Sequence, residues 1–354
     1  MEIRIPKEAL YIVNTLESNG FEAFVVGGCV RDSLLGSEPK DWDICTPATP
    51  AQTMKLFSES RVIETGLKHG SVSLILNDTP FEVTTYRTDG AYSDGRHPDN
   101  VEFIRDIKED LARRDFTINA MAYSPDKGLM DFFNGIEDLK GGIIKCVGDP
   151  DMRFREDALR LLRALRFASV LGFSIEENTE RAIYDKSDLL KNIAAERIEG
   201  ELLGLLNGNA FEAVIINYQK IIAEALSIMY RKGFIQLKEK NIKRWLEKAG
   251  EERFRILIEA GEADEATNEI LSRIEAIAEK EKPPSLKDLA INGSDLIEAG
   301  IPEGPEVGRI LKQLRYIIID EKIDNDRAVL LEIGLKLFSE YPSSKKLHNS
   351  NGFG

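Results

Sequence analysis

Cysteine is scarce in this chain of 354 residues: Cys29, Cys45 and Cys146 are the whole supply. Thiols so few and scattered make neither a disulfide framework nor a zinc site, and a reducing cytoplasm is the expected compartment. Histidine is as sparse, at His69, His97 and His348, too far apart in sequence for a histidine-based metal site. No window approaches 18 uninterrupted apolar residues, and the opening MEIRIPKEAL lacks a signal-peptide core, so no membrane association is expected. An excess of positive charge is missing too. The net charge of −14 excludes a uniformly basic nucleic-acid binder. It leaves room for local basic patches, because long-range charge is screened over ~8 Å at physiological salt.

The composition that remains, 42% hydrophobic and 31% charged, is that of a globular protein, long enough for more than one packed unit. The first 140 residues mix helix and strand. An amphipathic helix over 7–18 stops at Asn19-Gly20, followed by a strand at 23–26, a helix at 29–35, a strand at 41–45 and a helix near 50–59. Strands over 70–76 and 81–86 flank the turn Asn77-Asp78-Thr79-Pro80 and form a hairpin. Beyond about 150 the texture becomes helical only, rich in Leu, Ala, Glu and Lys. The expected class is α+β. Its parts are an α/β head over 1–140 and helical units over 141–206, 207–285 and 286–354.

Within the head, FVVGGCVRDSLLGSEPKDWDICT (24–46) carries the most chemistry. An apolar run ends at Gly27-Gly28, where backbone N–H groups can approach phosphate. Asp41 and Asp43 lie two apart in a strand, on one face, with Trp42 and Ile44 on the other. Paired carboxylates supply the hard oxygens that Mg²⁺ prefers. Glu82, in FEVTTY, reads either as a third ligand from a neighbouring strand or as an exposed polar position.

Two further clusters follow. In Ala112–Ala120, helical spacing puts Asp115 and Asn119 on one face near Arg114, an arrangement suited to ribose and phosphate. Residues 153–167 read as one amphipathic helix with five arginines. Asp157 and Arg160 present an acceptor and a donor together, and Arg160, Arg163 and Arg166 form a positive ridge.

With these residues in place the chain resembles the class II tRNA nucleotidyltransferases, the CCA-adding branch of the poly(A) polymerase/tRNA nucleotidyltransferase family. The matching segments include GGCVRDSLLGSEPKDWDICT, TGLKHGSVSL, EVTTYRTDGAYSDGRHPDNVEF, EDLARRDFTINAMAY, VGDPDMRFREDALRLLRALRF, AAERIEGEL and INGSDLIEAGIPEGPEVGRILKQL. They span about 20 to 335 in the family's order, while 210–285 matches only in texture. The resemblance implies a polymerase-beta-like head (a mixed sheet with helices), a helical neck that selects nucleotide, a helical body and a short tail. It implies addition and repair of the 3′-terminal CCA of tRNA from CTP and ATP. On its pattern Asp41 and Asp43 bind Mg²⁺ with Glu82 assisting, and Gly27, Gly28 and Arg31 hold the triphosphate. Arg114 and Asp115 bracket sugar and phosphates, and Glu156, Asp157 and Arg160 choose the base. An enzyme that adds only the final A is the near alternative, a poly(A) polymerase the remoter one. A decayed head on an RNA-binding scaffold is opposed by the intact motifs.

The selector also has a reading of its own. Cytosine and adenine each offer an amino donor beside a ring-nitrogen acceptor, matching an aspartate and an arginine. Uracil and guanine reverse the pattern and leave buried polar groups unpaired, at ~1–3 kcal/mol each. The stretch 87–101 reads as a loop, and the resemblance makes it the flexible element that switches from C to A addition. Seven Lys/Arg between Arg231 and Lys248 form a basic patch, either a solvated face or an RNA contact. Residues 291–311 read as a helix–turn–helix that clamps an RNA backbone or simply packs two helices. No phosphohydrolase motif of the HD type appears. The oligomeric state, monomer or dimer, is open.

Overall fold

The structure, a computed structural model, describes residues 3–64, 66–90, 101–232, 239–261, 265–281, 286–287, 289–321 and 323–340. The chain divides into two compact units, Met1–Glu275 and Ala276–Gly354.

The first unit opens with α1 (Lys7–Ser18), which buries Ala9, Ile12, Val13 and Leu16, an apolar stripe at helical spacing. It is followed by β1 (Phe24–Val26), α2 (Gly28–Leu34), β2 (Asp43–Thr46) and α3 (Pro50–Leu56), the last begun by a Thr49/Gln52 capping box. β3 (Arg61–Ile63), β4 (Ser71–Leu76), β5 (Thr79–Thr85), β6 (Arg87–Asp89) and β7 (Val101–Phe103) come next. Then follow α4 (Ile107–Ala112), β8 (Met121–Ser124), β9 (Gly128–Asp131), α5 (Gly135–Gly141) and β10 (Ile143–Ile144).

Seven strands form one sheet in the order β3-β4-β5-β2-β1-β8-β9. All neighbours are antiparallel except β2 and β5, which run parallel. Because β1 and β2 are antiparallel, with Val25 opposite Ile44, the end of β1 lies beside the start of β2. The parallel pair sets Asp43 opposite Glu82. These two registers build the site. Beneath them Phe24, Val26, Cys45, Tyr86, Leu111 and Ala122 pack into a buried cluster.

The helical part continues with α6 (Pro150–Glu156), α7 (Leu159–Leu171), the short strand β11 (Ser174–Ile175), α8 (Glu177–Asp185), α9 (Ala195–Leu206), α10 (Phe211–Asn217) and α11 (Gln219–Arg231). After these come α12 (Glu239–Ala249), α13 (Glu251–Glu259) and α14 (Glu265–Glu281). The second unit holds α15 (Gly293–Glu298), α16 (Pro305–Glu321) and α17 (Arg327–Glu340) around a core of Leu289, Ile291, Leu296, Ile301, Ile310, Leu314 and Leu330. Its α15–α16 turn uses Gly300 and Gly304 at positive φ, and a Cβ on Gly293 would sit 3.2 Å from Val307, so that glycine serves helix packing.

Several expectations are corrected. β2 begins at Asp43, two residues late, so Asp41 stands before the strand. The β4–β5 hairpin turns on Asn77 and Asp78 alone, both at positive φ, and Thr79-Pro80 already pair with Leu76 and Ile75. The right-handed strand twist selects such a two-residue turn. β11 pairs parallel with β10, so the region past 150 is not helix throughout. The ends of 87–101 are not loop either: Arg87–Asp89 and Val101–Phe103 form an antiparallel ladder, while 91–100 lie outside the described residues.

Candidate active site

Gly27 ends β1 at φ 80°, a conformation that costs side-chain-bearing residues dearly. A Cβ there would also stand 3.0 Å from Arg114 Nη1. The turn therefore brings bare backbone and a half-buried guanidinium together. Along the adjoining chain Trp42, Ile44 and Cys45 are buried while Asp41 and Asp43 face outward. The expected alternation holds although only Asp43 belongs to the strand. Although Asp43 reaches solvent, the protein packed around its carboxyl desolvates it and pushes it up to about 6, the charges of Glu82 and Asp41 adding to this and Arg114 opposing. Among the described residues, no three His, Cys, Asp or Glu side chains converge into a ready metal cage. Donor chemistry nonetheless fits a hard divalent cation: crowded carboxylate oxygens whose mutual repulsion a cation would relieve.

Asp115 and Asn119 do meet, but not on an α-helix. α4 has already ended at Ala112, Phe116 is extended, and Thr117–Asn119 form a single 3₁₀ turn. Asn119 Nδ2 donates to Asp115 Oδ1 at 3.2 Å, and Arg31 Nη1 donates to Asn119 Oδ1 at 2.6 Å. Asp115 Oδ2 accepts from Nε and Nη2 of Arg163 at 2.8 and 2.6 Å. Burial would raise Asp115, yet Arg163 outweighs it and holds the carboxyl down at about 2. A continuous bonded chain thus runs from Arg31 through Asn119 and Asp115 to Arg163.

The segment read as one helix over 153–167 is two. Asp157, at φ −145° and ψ 103°, separates α6 from α7, and its Oδ1 accepts from the N–H of Leu159. This is the local bonding by which aspartate competes with helix continuation. Arg197 on α9 grips Asp157 with two hydrogen bonds, 3.2 and 2.7 Å long. Arg160 donates to Glu156 Oε2 at 2.7 Å and to the carbonyls of Arg153 and Arg113. The arginine ridge is matched by carboxylates from elsewhere in the fold: Asp115 for Arg163, and Glu201 for Arg166 at 2.6 Å. Phe167 lies beneath, its ring 5.1, 5.4 and 4.2 Å from the guanidinium carbons of Arg31, Arg163 and Arg166.

Arg197 and Glu201 carried no assigned role in the sequence, although AAERIEGEL was one of the matching segments. Their i, i+4 spacing on α9 was the available signal. Of the basic patch, Lys232 Nζ donates to the carbonyls of Lys191 and Ile193, Arg231 pairs with Glu224 and Arg244 pairs with Glu199. Lys238 lies outside the described residues.

Family models match along most of the chain: the poly A polymerase head domain at 23–145, a probable RNA- and SrmB-binding site of polymerase A at 172–219, and a putative tRNA nucleotidyltransferase domain 2 at 218–333. A curated CCA-adding enzyme from Levilactobacillus brevis is 35% identical, over 90% of this chain and 95% of that protein. The crystal structure of the Bacillus stearothermophilus CCA-adding enzyme in complex with CTP is 29% identical, with a TM-score of 0.56 covering 94% of this chain and 98% of that one. A tRNA nucleotidyltransferase complexed with a primer tRNA and an incoming ATP analog is 25% identical, with a TM-score of 0.55 over 93% and 98%. On its glycine turn, its carboxylates and these likenesses, the chain belongs to the family of CCA-adding tRNA nucleotidyltransferases.

Proposed function

We propose that this chain adds and repairs the 3′-terminal CCA of tRNA, taking CTP and ATP and releasing pyrophosphate without a template. The observation that carries it is Asp43 abreast of Glu82 beside the Gly27 turn, in the same unit as the Asp157/Arg160 pair. The curated relative is named a CCA-adding enzyme, which favours complete CCA addition over A-only completion. No described helix is long and apolar enough to cross a membrane, and tRNA as substrate supports a cytoplasmic site of action.

In the reaction the terminal hydroxyl oxygen of the tRNA attacks the α-phosphorus, and the bond from that phosphorus to the pyrophosphate oxygen breaks. Asp41 and Asp43 would hold Mg²⁺, with Glu82 assisting. When bound, the metal lowers the pKa of the attacking hydroxyl and balances triphosphate charge. Gly27 and Gly28 offer backbone to the phosphates, and Arg31 and Arg114 supply positive charge. Arg31 is aimed by Asn119 and by Asp32, which accepts from its Nε at 2.8 Å. Asp115 orients Asn119 and Arg163 around the sugar. Glu156 orients Arg160, which keeps donors to spare: three of its five N–H groups meet Glu156 and the two carbonyls. Asp157 likewise retains lone pairs beyond the Arg197 pair and Leu159. Acceptor and donor can therefore read cytosine or adenine with their supports in place. The divisions 1–140, 141–206, 207–285 and 286–354 serve as head, neck, body and tail in this reading.

The test is incorporation of each labelled nucleotide into tRNA ending before the first C, after the first C and after CC. Ordered C, C, A addition is expected. Addition of A to the CC end alone would assign A-only completion, and runs of A a poly(A) polymerase. Chelation with EDTA should stop transfer and added Mg²⁺ restore it.

A further inference from the structure

One fully buried carboxylate outside the roles above stands where three elements meet. Asp110, in α4, is 0% exposed. Its Oδ1 accepts from Arg113 Nε at 3.0 Å, from Arg113 Nη2 at 2.8 Å and from the backbone N–H of Arg87, first residue of β6, at 3.2 Å. Its Oδ2 makes no hydrogen bond among the described residues, and Arg114 Nη2 lies 3.5 Å from it. Arg114 is the guanidinium packed behind Gly27, and its Nε is buried without a hydrogen bond. The carbonyl of Arg113 in turn accepts from Arg160 Nη2 at 3.1 Å. Burial favours the neutral acid, but Arg113 and Arg114 outweigh it and keep Asp110 ionised.

We infer that Asp110 is a positioning residue: its charge fixes Arg114 behind the Gly27 turn and ties the root of the β6–β7 hairpin to the same point. The inference rests on the reading of Arg114 as a phosphate contact. Among the described residues Arg114 makes no other ion pair as close. A neutral group of equal size at 110 would take from Arg114 the nearest negative charge it has, 3.5 Å away.

Three variants separate charge from shape. Asp110→Asn keeps volume and one oxygen for the Arg87 N–H but loses charge. Asp110→Glu keeps charge and crowds the core. Arg114→Ala removes the contact itself. Steady-state kinetics with CTP on tRNA lacking CCA and with ATP on tRNA ending in CC are measured beside thermal melts. D110N is expected to raise KM for both nucleotides by about tenfold, while KM for tRNA stays within about twofold. D110E should melt lower yet keep the smaller KM. KM values that follow melting temperature across the two variants would overturn the inference. An unchanged KM in D110N beside a raised one in R114A would overturn it as well. If R114A also left KM unchanged, the phosphate-contact reading would be what failed. Should D110N not fold, Arg113→Met leaves Asp110 with Arg114 and the Arg87 N–H. Its nucleotide KM should stay within about twofold, and a rise as large as in R114A would refute the assignment.

Discussion

Asp115 accepts from Arg163, Asn119 and its neighbour Phe116, and its carboxyl is held down at about 2 against an ordinary value of ~3.9. A depressed folded-state pKa contributes stability that is present above the unfolded value and lost as pH falls through the folded one. Asp115→Asn should therefore cost most near neutrality. The gap between wild type and D115N in urea unfolding is expected to narrow by ~2 kcal/mol between pH 5 and pH 2. A gap that stayed constant would show that the ion pair does not set this pKa. Asp41→Ala or Asp43→Ala should lower turnover by ~10³-fold or more, the equivalent of ~4 kcal/mol, with an unchanged melt. Asp157→Ala should admit UTP and GTP. Continued use of C and A alone at wild-type rates would end the selector reading.

At the scale of elements, β1 and α2 are joined by a glycine that cannot be replaced cheaply. Gly27→Ala combines positive φ with a Cβ 3.0 Å from Arg114 Nη1, so a loss of ~1–3 kcal/mol in stability is expected, visible as a lower melting temperature. The guanidinium it pushes is a proposed phosphate contact, so KM for both nucleotides should rise with it. The α6–α7 break depends on α9 in the same way. Arg197→Ala leaves Asp157 without its two-bonded partner. It should weaken base selection while sparing metal dependence, measured as misincorporation of UTP beside EDTA sensitivity. Much of this level was legible. α1 and the head elements as far as β5, β3 apart, follow from apolar spacing and from turn residues such as Asn19-Gly20. The break at Asp157 was hidden because 153–167 keeps a good helical stripe across it, and only backbone bonding to Asp157 shows the interruption. Asp115 and Asn119 are four apart, which suggested a helix. The extended Phe116, bridged to Cys146, decides otherwise.

For the whole molecule, charge frames the approach to RNA. A protein of net charge −14 that grips tRNA must do so through local positive surface. Affinity for tRNA should fall steeply between 50 and 200 mM salt. Replacing exposed Lys248 by Glu should reduce the log–log slope by about 1 if that face meets phosphate. An unchanged slope would remove α12 from the RNA surface.

The sequence by itself determined the chemistry. The glycine turn, the carboxylates two apart, the RRDFTINA run and the Asp157/Arg160 pair are contiguous motifs, and short-range spacing fixes which residue types they offer. Tertiary structure alone decided the partners. Glu82 comes abreast of Asp43 through parallel strand pairing, Arg197 on α9 reaches Asp157 and Glu201 on α9 reaches α7, and Asp110 meets Arg87 and Arg114. No periodicity encodes these meetings, because they join residues tens of positions apart and follow from strand register and helix packing. Scarce cysteine and histidine left the metal question to carboxylates from the start, and the fold set where those carboxylates stand.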